Sequence, residues 1–528
     1  MGGGQVAMSE MTLEPLMVEP AGVPRGRAMV ERADWAGRSY ARYDAATVNR
    51  IVEAAANALA KHAQEFAAQA VAETGFGVVE HKVIKNLGCS TGILETYRGH
   101  NYVSPEIDEA NKIVSIPRPA GVILALTPST NPVATVAFKI LLALMTRNAI
   151  IISPHPMAKK VCADAARVMA KAAVAAGAPD GVIQIVDDPS IPLINALMTD
   201  ERVDVIVATG GTPVVRSAYR SGNPAIGVGP GNVPVLVDDT ADIAKTAERI
   251  IDSKAFDNSI LCTNESVVIA QDAIADKLLA AFVREGAYIL KTEEVEAIRK
   301  VVFPGGHFNA KLVGKDATII ADLAGIRVPA KTRVLVAPFD LVVPEEPLAH
   351  EKLLPVLGFV RVPTARRGVD VARAVLRITG SGHSAAIHST NPSLIMTFSA
   401  AVPVLRVSVN VGNSLGASGF QTHLPPSMTI GTGFFGRSSV GENLQPKHLV
   451  NYTRLAYNSD VREVMPSFVG LNPWTSPTGP VPEYPLASNE QQFIETHNVR
   501  TPLTSDVAEL RDEIRRLIVE ELKELMKG

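Results

Sequence analysis

The chain has 528 residues, of which 47% are hydrophobic and 20% are charged, with a formal net charge of -3 at pH 7. This length exceeds what one hydrophobic core supports, so we expect two or three domains that fold without disulfides. The charge lacks the basic excess that binds phosphate backbones, which argues against nucleic acid as a partner. No apolar run reaches the length of a membrane span, which argues against a membrane partner.

The cysteines lie far apart and are Cys89, Cys162 and Cys262. They form no CxxC pair and have no histidine at zinc-site spacing, so the sequence predicts reduced thiols and no metal. Residues 1–6 lack the apolar core of a signal peptide. We therefore expect a cytoplasmic protein.

Helices and strands are predicted to alternate along the first half of the chain. Residues 46–72 are alanine-rich with apolar residues three and four apart, which predicts a helix that closes near Gly75. The elements that follow are an extended segment at 112–119, strand 120–128, helix 133–145, strand 149–153, helix 158–176, strand 182–186, helix 192–199 and strand 203–208. Such alternation predicts an α/β fold with a doubly wound parallel sheet that holds a nucleotide at its strand ends.

Glycines follow the last of these strands. In Thr209-Gly210-Gly211 a threonine can cap the next helix while bare backbone amides approach an anion. The same pattern is equally typical of an ordinary strand-to-helix turn, and it is not the GxGxxG fingerprint. Alternating glycines in 227–231 indicate that the backbone lies close to a ligand or to another strand. The local pattern alone does not distinguish a ligand-binding backbone from ordinary turns and strand packing.

Cys262 lies in a turn-like segment, 256–265, just ahead of the apolar strand 266–270. A thiol held at a strand edge can face a cleft, so the pattern indicates a cysteine nucleophile, with a buried structural cysteine as the alternative. Because a free thiol is only a few per cent ionised at neutral pH, the site should provide a local field or a base. Cys89 and Cys162 lie in helix-like apolar surroundings and are predicted to fill the core.

Seven motifs in chain order resemble those of the CoA-acylating aldehyde dehydrogenases. They are TPSTNP at 127–132, SPHP at 153–156, ATGG at 208–211, GVGPGN at 227–232, FDNSILC at 256–262, EKLLPVL at 351–357 and PKHL at 446–449. The resemblance covers residues 45–460. It implies an aldehyde dehydrogenase-like fold with a nucleotide domain at 1–251, a catalytic domain at 252–440 and a return to the nucleotide domain at 441–470. It also implies an oligomerisation arm, built from 107–118 and part of the returning segment, and hence a homodimer or homotetramer.

The resemblance also implies roles for individual residues. Cys262 matches the nucleophile, and Asn131 matches the side chain that holds the oxyanion together with the backbone N–H of Cys262, although an asparagine before Pro132 can also belong to a turn. Glu351 matches the acid that holds the nicotinamide ribose. His383 matches a histidine that relays a proton to or from CoA, with a structural histidine as the alternative. The implied cofactor-binding residues are Thr127, Pro128, Ser153, His155, Thr209, Gly210, Gly211, Gly227, Val228, Gly229, Glu351 and Leu353.

The implied reaction is the reversible oxidation of a short-chain aldehyde to its acyl-CoA by NAD or NADP, through a cysteine thioester. Hydrolytic relatives carry Glu-Leu-Gly-Gly-Lys before the cysteine, whereas this chain has no carboxylate at 227–231. Loss of general-base assistance slows water attack by about 10²- to 10⁴-fold, whereas a thiol needs less help. CoA is therefore the predicted co-substrate, and the alternative is a non-acylating enzyme that releases the free acid. Pro154 and His155 stand where hydrolytic relatives place a ribose-binding lysine.

The C-terminal segment has a different composition. Residues 471–504 begin as a proline-dense linker, and residues 505–528 have apolar residues at helical spacing opposite a charged face. This arrangement resembles an encapsulation peptide, which implies a shell-protein partner and a location inside a bacterial microcompartment. The alternatives are a helix that packs on its own protein or pairs with its copy in an oligomer. A different class of function, an assembly component with incidental catalysis, also remains open.

Overall fold

The structure is a computed structural model that describes residues 19–476. The predicted helix at 505–528 lies outside the described residues, as does all of the predicted linker except residues 471–476. Within the described part, two parallel sheets and one small antiparallel sheet carry the fold.

Helices and two strands precede the first parallel sheet. They are α1 (Val23–Tyr40), α2 (Ala45–Lys61), α3 (Ala63–Thr74), α4 (Val79–Gly88), α5 (Thr91–Thr96), β1 (Glu106–Asp108) and β2 (Ile113–Pro119). The single helix predicted over 46–72 is two helices that meet at His62. They pack against different partners, since α2 lies mainly on later helices of the sheet domain and α3 lies mainly on α4. Asp44 begins α2 by accepting a hydrogen bond from the backbone N–H of Thr47.

The first parallel sheet has five strands in the order β5-β4-β3-β6-β7. Its elements are β3 (Val122–Thr127), α6 (Pro132–Met145), β4 (Ala149–Pro154), α7 (Lys159–Ala175), β5 (Ile183–Ile185), α8 (Ile191–Thr199), β6 (Val205–Thr209), α9 (Thr212–Arg220) and β7 (Ala225–Val228). Each predicted strand and helix of this region is present, with ends that shift by one or two residues. The predicted α/β class with a doubly wound parallel sheet is confirmed.

The strand order reverses on the two sides of β3, because the chain runs outward through β4 on one side and returns to β6 on the other. A crevice therefore opens where β3 and β6 end, the usual ligand position of such sheets. Helix α6 is buried along almost its whole length beneath the crevice. Its Lys139 donates to the carbonyl oxygens of Leu126 on β3 and Val207 on β6, which ties the two strands together.

The second parallel sheet has seven strands in the order β10-β11-β12-β9-β8-β13-β14. Its elements are β8 (Val233–Val237), α10 (Ile243–Ala255), β9 (Glu265–Gln271), α11 (Asp272–Arg284), β10 (Ala287–Ile289), α12 (Thr292–Val302), α13 (Ala317–Leu323), β11 (Val334–Pro338), β12 (Val356–Val362), α14 (Ala365–Ile378), β13 (Ala385–His388), α15 (Pro392–Ala401), β14 (Val407–Val409) and α16 (Asn413–Gly416). Strand β8 pairs with β9 and β13. The chain thus enters this sheet at Val233, ahead of the predicted boundary at residue 251, because β8 hydrogen-bonds to the second sheet and not to the first.

The small sheet joins segments that are distant in sequence. Strand β15 (Val450–Ala456) runs antiparallel to β2, and β1 pairs with the other edge of β2. The predicted segments at 107–118 and 441–470 therefore lie side by side. Strand β15 is an edge strand with a mostly exposed or half-exposed face. Among the described helices, none is both long and apolar enough to cross a bilayer.

Arg147 joins the N-terminal helices, the small sheet and the first parallel sheet. The side chain is fully buried, and its guanidinium donates to the carbonyl oxygens of Ala41 at 2.7 Å and Pro117 at 2.9 Å. The ring of Trp474 lies 4.5 Å from the same guanidinium. Burial lowers the pKa of Arg147 to about 10. A cation at this position satisfies carbonyl groups from two separate elements at once.

Replacing Arg147 with methionine should lower the stability of the protein by about 2–4 kcal/mol, because buried carbonyl groups lose their donors. A lowered thermal unfolding midpoint checks this expectation. Arg366→Met is the matched control, since Arg366 is exposed on α14. Equal midpoints for the two variants would contradict the proposed joining role.

Candidate active site

A cavity of about 650 Å³ lies at the crevice between the ends of β3 and β6. Cys262 and Asn131 line it together. Most of the predicted cofactor-binding residues line it too, namely Thr127, Pro128, Ser153, His155, Thr209, Gly210, Gly211, Val228, Gly229, Glu351 and Leu353. The fold thus brings residues from both parallel sheets to one cavity.

Cys262 follows a short stretch of left-handed backbone. Asp257, Asn258 and Ser259 have φ values of 49°, 52° and 67°. Left-handed backbone costs non-glycine residues roughly 1–2 kcal/mol each, less for Asp and Asn. Side chains compensate for this cost, since Asn258 donates to the carbonyl of Gly314 at 3.0 Å and Ser259 donates to Asn264 at 2.7 Å. The tight turn aims the cysteine loop at the cavity ahead of β9.

Asp257 is the most strongly held residue of this stretch. Its carboxylate is fully buried, accepts a hydrogen bond from the backbone N–H of Val78 at 2.6 Å and forms ion pairs with Lys82 and Lys85. Lys82 and Lys85 lie one turn apart on α4 and are themselves buried. Sequence reasoning assigned no role to these three residues. Two lysines three positions apart on a helix are usually solvated, so the local pattern carried no signal of burial.

Asn131 caps the start of α6 with its backbone and lines the cavity with its side chain. Lys85 Nζ donates to the side-chain Oδ1 of Asn131 at 2.5 Å. A lysine ammonium only donates, so it fixes which end of the amide is the carbonyl and leaves the NH₂ group as the donor on the other end. The arrangement suits stabilisation of a developing negative charge.

The surroundings of Cys262 disfavour the charged thiolate form of its side chain. Burial and the nearby Glu351 carboxyl raise its pKa to about 12, while the guanidinium of Arg406 acts in the opposite direction. Arg406 is buried among backbone carbonyls and donates to those of Gly382, His383 and Gly431. Arg406 carries no functional signal in the sequence, because it directly precedes β14, a short edge strand outside the recognised motifs. The predicted local field is therefore weak without ligands.

Glu351 is the one carboxylate among the described residues that line the cavity. Its Oε1 accepts a hydrogen bond from the backbone N–H of Gly231 at 3.2 Å. Burial raises the pKa of Glu351 to about 8. A Cβ atom on Gly231 would lie 1.9 Å from the carbonyl oxygen of Cys262, so only glycine fits there. The backbone of Gly231 therefore contacts Glu351 through its N–H and lies directly against the carbonyl of Cys262.

Two predicted site residues do not line the cavity. Gly227 lies in β7, where a Cβ would come within 2.5 Å of Val215 and 2.8 Å of Tyr219 on α9. His383 is fully buried behind Gly231, and its Nδ1 lies 3.0 Å from the hydroxyl of Ser384. Burial and Arg406 lower the pKa of His383 to about 3. A neutral, enclosed imidazole of this kind is a weak base, and its predicted relay role stays a prediction.

The cavity has the features that a dinucleotide requires. It lies at the switch point of a doubly wound sheet and falls in the volume range of cofactor sites. Hydroxyl groups at the ends of β3, β4 and β6 and the N-terminus of α9 supply donors along it. Over residues 19–476, no group of three or more His, Cys, Asp or Glu side chains is arranged to hold a metal ion.

The rate of alkylation of Cys262 by iodoacetamide should rise from pH 7 to 9 and still be rising at pH 9, because only the thiolate reacts and the pKa of Cys262 lies well above this range. Glu351→Gln should lower the pKa of Cys262 and increase the rate at pH 9, since a negative neighbour disfavours the thiolate. The exposed Glu293→Gln is the control. Peptide mass spectrometry separates Cys262 from the buried Cys89 and Cys162. In the protein without substitutions, an alkylation rate that reaches its plateau near pH 8 would contradict the raised pKa of Cys262.

Residues 18–297 match the model of the aldehyde dehydrogenase family. The bifunctional aldehyde-alcohol dehydrogenase AdhE of Escherichia coli K12 is 39% identical over 439 residues, which are 82% of this chain and 49% of that protein. The chain thus spans about half the length of this relative.

The chain resembles several solved structures over nearly their whole length. The acetylating aldehyde dehydrogenase from Geobacillus thermoglucosidasius is 39% identical with a TM-score of 0.82, covering 84% of this chain and 98% of that one. The propionaldehyde dehydrogenase of Rhodopseudomonas palustris, with bound CoA and an acylated cysteine, is 29% identical with a TM-score of 0.74, covering 82% and 97%. A propionaldehyde dehydrogenase from the Clostridium phytofermentans fucose utilisation microcompartment is 30% identical with a TM-score of 0.74, covering 82% and 97%.

The matched residues 18–297 include β3, β6 and the cysteine loop, so the family match and the cavity geometry fall on the same part of the chain. The chain belongs to the aldehyde dehydrogenase family.

Proposed function

We propose that the protein oxidises a short-chain aldehyde to its acyl-CoA, reversibly, with NAD or NADP as the electron acceptor. The observation that carries this proposal is the cavity itself. Cys262 and Asn131 share it, and Glu351 is the one carboxylate among its described lining residues. The acetylating relative and the CoA-bound, acylated relative support the same reaction class.

Residues 227–231, ahead of the cysteine, contain no carboxylate that could activate water. A Cβ at Gly231 would overlap the backbone carbonyl oxygen of Cys262, and a Cβ at Gly227 would crowd side chains of α9, whereas a Cβ at Gly229 would meet nothing within 4 Å. A thioester that forms on Cys262 therefore lacks a base from this stretch, and water attacks it slowly. A thiol is intrinsically more nucleophilic than water, so CoA is the acceptor that the site favours.

In the first step of the proposed reaction the thiol of Cys262 releases its proton to solvent, and its sulfur bonds to the aldehyde carbon. The carbonyl oxygen becomes an alkoxide, and the NH₂ group of Asn131 donates to it. Collapse of the alkoxide expels a hydride and leaves a thioester on Cys262. The nicotinamide, when bound, supplies the hydride acceptor. The residues that would hold it are those at the ends of β3, β4 and β6 together with Glu351.

The second step transfers the acyl group. The sulfur of CoA attacks the thioester carbon, and Asn131 again donates to the alkoxide. The bond to Cys262 then breaks, and the departing Cys262 sulfur takes up a proton in place of the one that the CoA thiol has lost. Aldehyde, CoA and oxidised dinucleotide thus become acyl-CoA, reduced dinucleotide and one proton. Asn131 serves both steps because the same carbonyl oxygen gains charge in each.

NADH or NADPH formation should require CoA for more than one turnover. With a panel of two- to four-carbon aldehydes at saturating concentration, we expect at most one equivalent per Cys262 without CoA and continuous turnover with it. Cys262→Ser should abolish both, because an alcohol is a far weaker nucleophile than a thiol at neutral pH. Absorbance at 340 nm in the presence of each dinucleotide measures this.

The rival is a non-acylating enzyme that releases the free acid. It would turn over without CoA, with Glu351 as the remaining carboxylate able to activate water. Continuous CoA-independent turnover would therefore overturn the proposal and favour the rival.

We also propose a homodimer or homotetramer. Strand β15 offers an unpaired edge, and the segment after it exposes Val461, Val464, Val469 and Leu471. An open edge strand beside exposed apolar side chains is typical of an interface.

For residues 505–528 we propose binding to a microcompartment shell protein. This proposal is supported by the amphipathic pattern and by the likeness to the Clostridium phytofermentans enzyme.

Deletion of residues 505–528 should leave turnover and the sedimentation coefficient unchanged while it removes co-sedimentation with shell particles. Analytical ultracentrifugation and the dehydrogenase assay measure these three properties on one sample. A fall in the oligomer mass after deletion would instead assign the segment to the oligomer interface. Loss of turnover would contradict a separable tail.

A further inference from the structure

The buried ion pairs around Asp257 contain two lysine side chains and one carboxylate. Lys82 Nζ lies 3.1 Å from Asp257 Oδ2, and Lys85 contacts the same oxygen. Lys82 directs its other bond to the carbonyl of Thr130 at 3.3 Å. Lys85 directs its other bond to the side chain of Asn131. Burying two cations on one carboxylate is costly, so these additional acceptors are part of what holds the cluster together.

The two lysines differ in what they control. Lys82 contacts only a main-chain oxygen beyond Asp257, whereas Lys85 contacts the functional amide. The NH₂ group of Asn131 makes one bond within the described residues, to the hydroxyl of Thr130 at 3.3 Å, which is long for a hydrogen bond. Orientation of this amide therefore depends on Lys85. A charged donor on the carbonyl oxygen also polarises the amide and strengthens its N–H groups as donors.

We propose that Lys85 is the positioning residue of the oxyanion donor, and that Asp257 links this donor to the backbone that presents the nucleophile. One buried network would then set both groups that meet the aldehyde carbonyl, Asn131 from α6 and Cys262 from the loop before β9. The inference rests on the proposed function, because it assigns Asn131 to the aldehyde oxygen.

A double-mutant cycle tests the inference. Asn131→Ala should lower kcat/KM for the aldehyde about 100- to 1000-fold, the usual effect of removing one oxyanion donor. Lys85→Met should lower it about 10- to 100-fold, since small misplacement of a reacting group costs up to this much. In the Asn131→Ala background, Lys85→Met should change kcat/KM less than about threefold, because a positioning residue has no effect once its target is absent. The Kd for NADH should stay unchanged throughout.

Lys82→Met is the matched control, because it removes a lysine from the same carboxylate without touching the Asn131 side chain. Its effect should multiply with that of Asn131→Ala. A Lys85→Met effect of equal size in both backgrounds would overturn the inference. Lys85→Gln removes the charge and shortens the side chain by one atom while it stays polar beside Asp257, so it replaces Lys85→Met in the cycle if the methionine variant does not fold.

A crystal structure of the Lys85 variant separates this inference from the proposed function. If the unmodified protein shows no CoA-dependent turnover, the proposed function fails on that result alone. The position of the Asn131 amide remains measurable in that case. We expect it to rotate or to occupy two orientations in the variant, and an unchanged amide would overturn the positioning role.

Discussion

The structure depends on a buried carboxylate that stabilises an unfavourable backbone. Asp257 begins three left-handed residues just ahead of Cys262, and its carboxylate is paired with two lysines from α4. Removing either lysine weakens compensation for a buried charge, and an unpaired buried carboxylate costs several kcal/mol. Gly77 leaves room for this carboxylate, since a Cβ there would lie 2.1 Å from Asp257 Oδ1. The cysteine loop is thus fixed from a helix that precedes both parallel sheets.

Groups outside this cluster keep the thiol of Cys262 protonated. Burial and Glu351 raise the pKa of Cys262, and Arg406 offsets only part of this. A protonated thiol is a poor nucleophile and resists oxidation. Reactivity therefore has to arise when ligands change the charges and the water content of the cavity. The neutral, enclosed His383 does not supply a charge that would alter this balance.

Close packing at two glycines shapes the backbone that precedes the cysteine loop. At Gly227 the α9 side chains occupy the space of a side chain, and at Gly231 the Cys262 carbonyl does so. These close approaches account for glycine at positions 227 and 231, whereas a Cβ at Gly229 would meet nothing within 4 Å. Packing therefore explains only part of the absence of a carboxylate from 227–231. Under the proposed function, that absence favours a thiol as the acyl acceptor.

The sequence alone determined the α/β class and the alternation of elements through residue 208, because helical and strand periodicity are local properties of a chain. Through the resemblance of its short motifs to those of a family, the sequence also predicted about a third of the residues that line the cavity. It also indicated Cys262 from its position before an apolar strand. Tertiary structure decided the rest. The division at His62 and the assignment of β8 to the second sheet depend on packing partners that no local pattern encodes. In the sequence Lys82, Lys85 and Arg406 resemble ordinary surface charges. Only the folded chain buries them near Asn131 and Cys262, where the low polarity of the surroundings strengthens their electrostatic interactions.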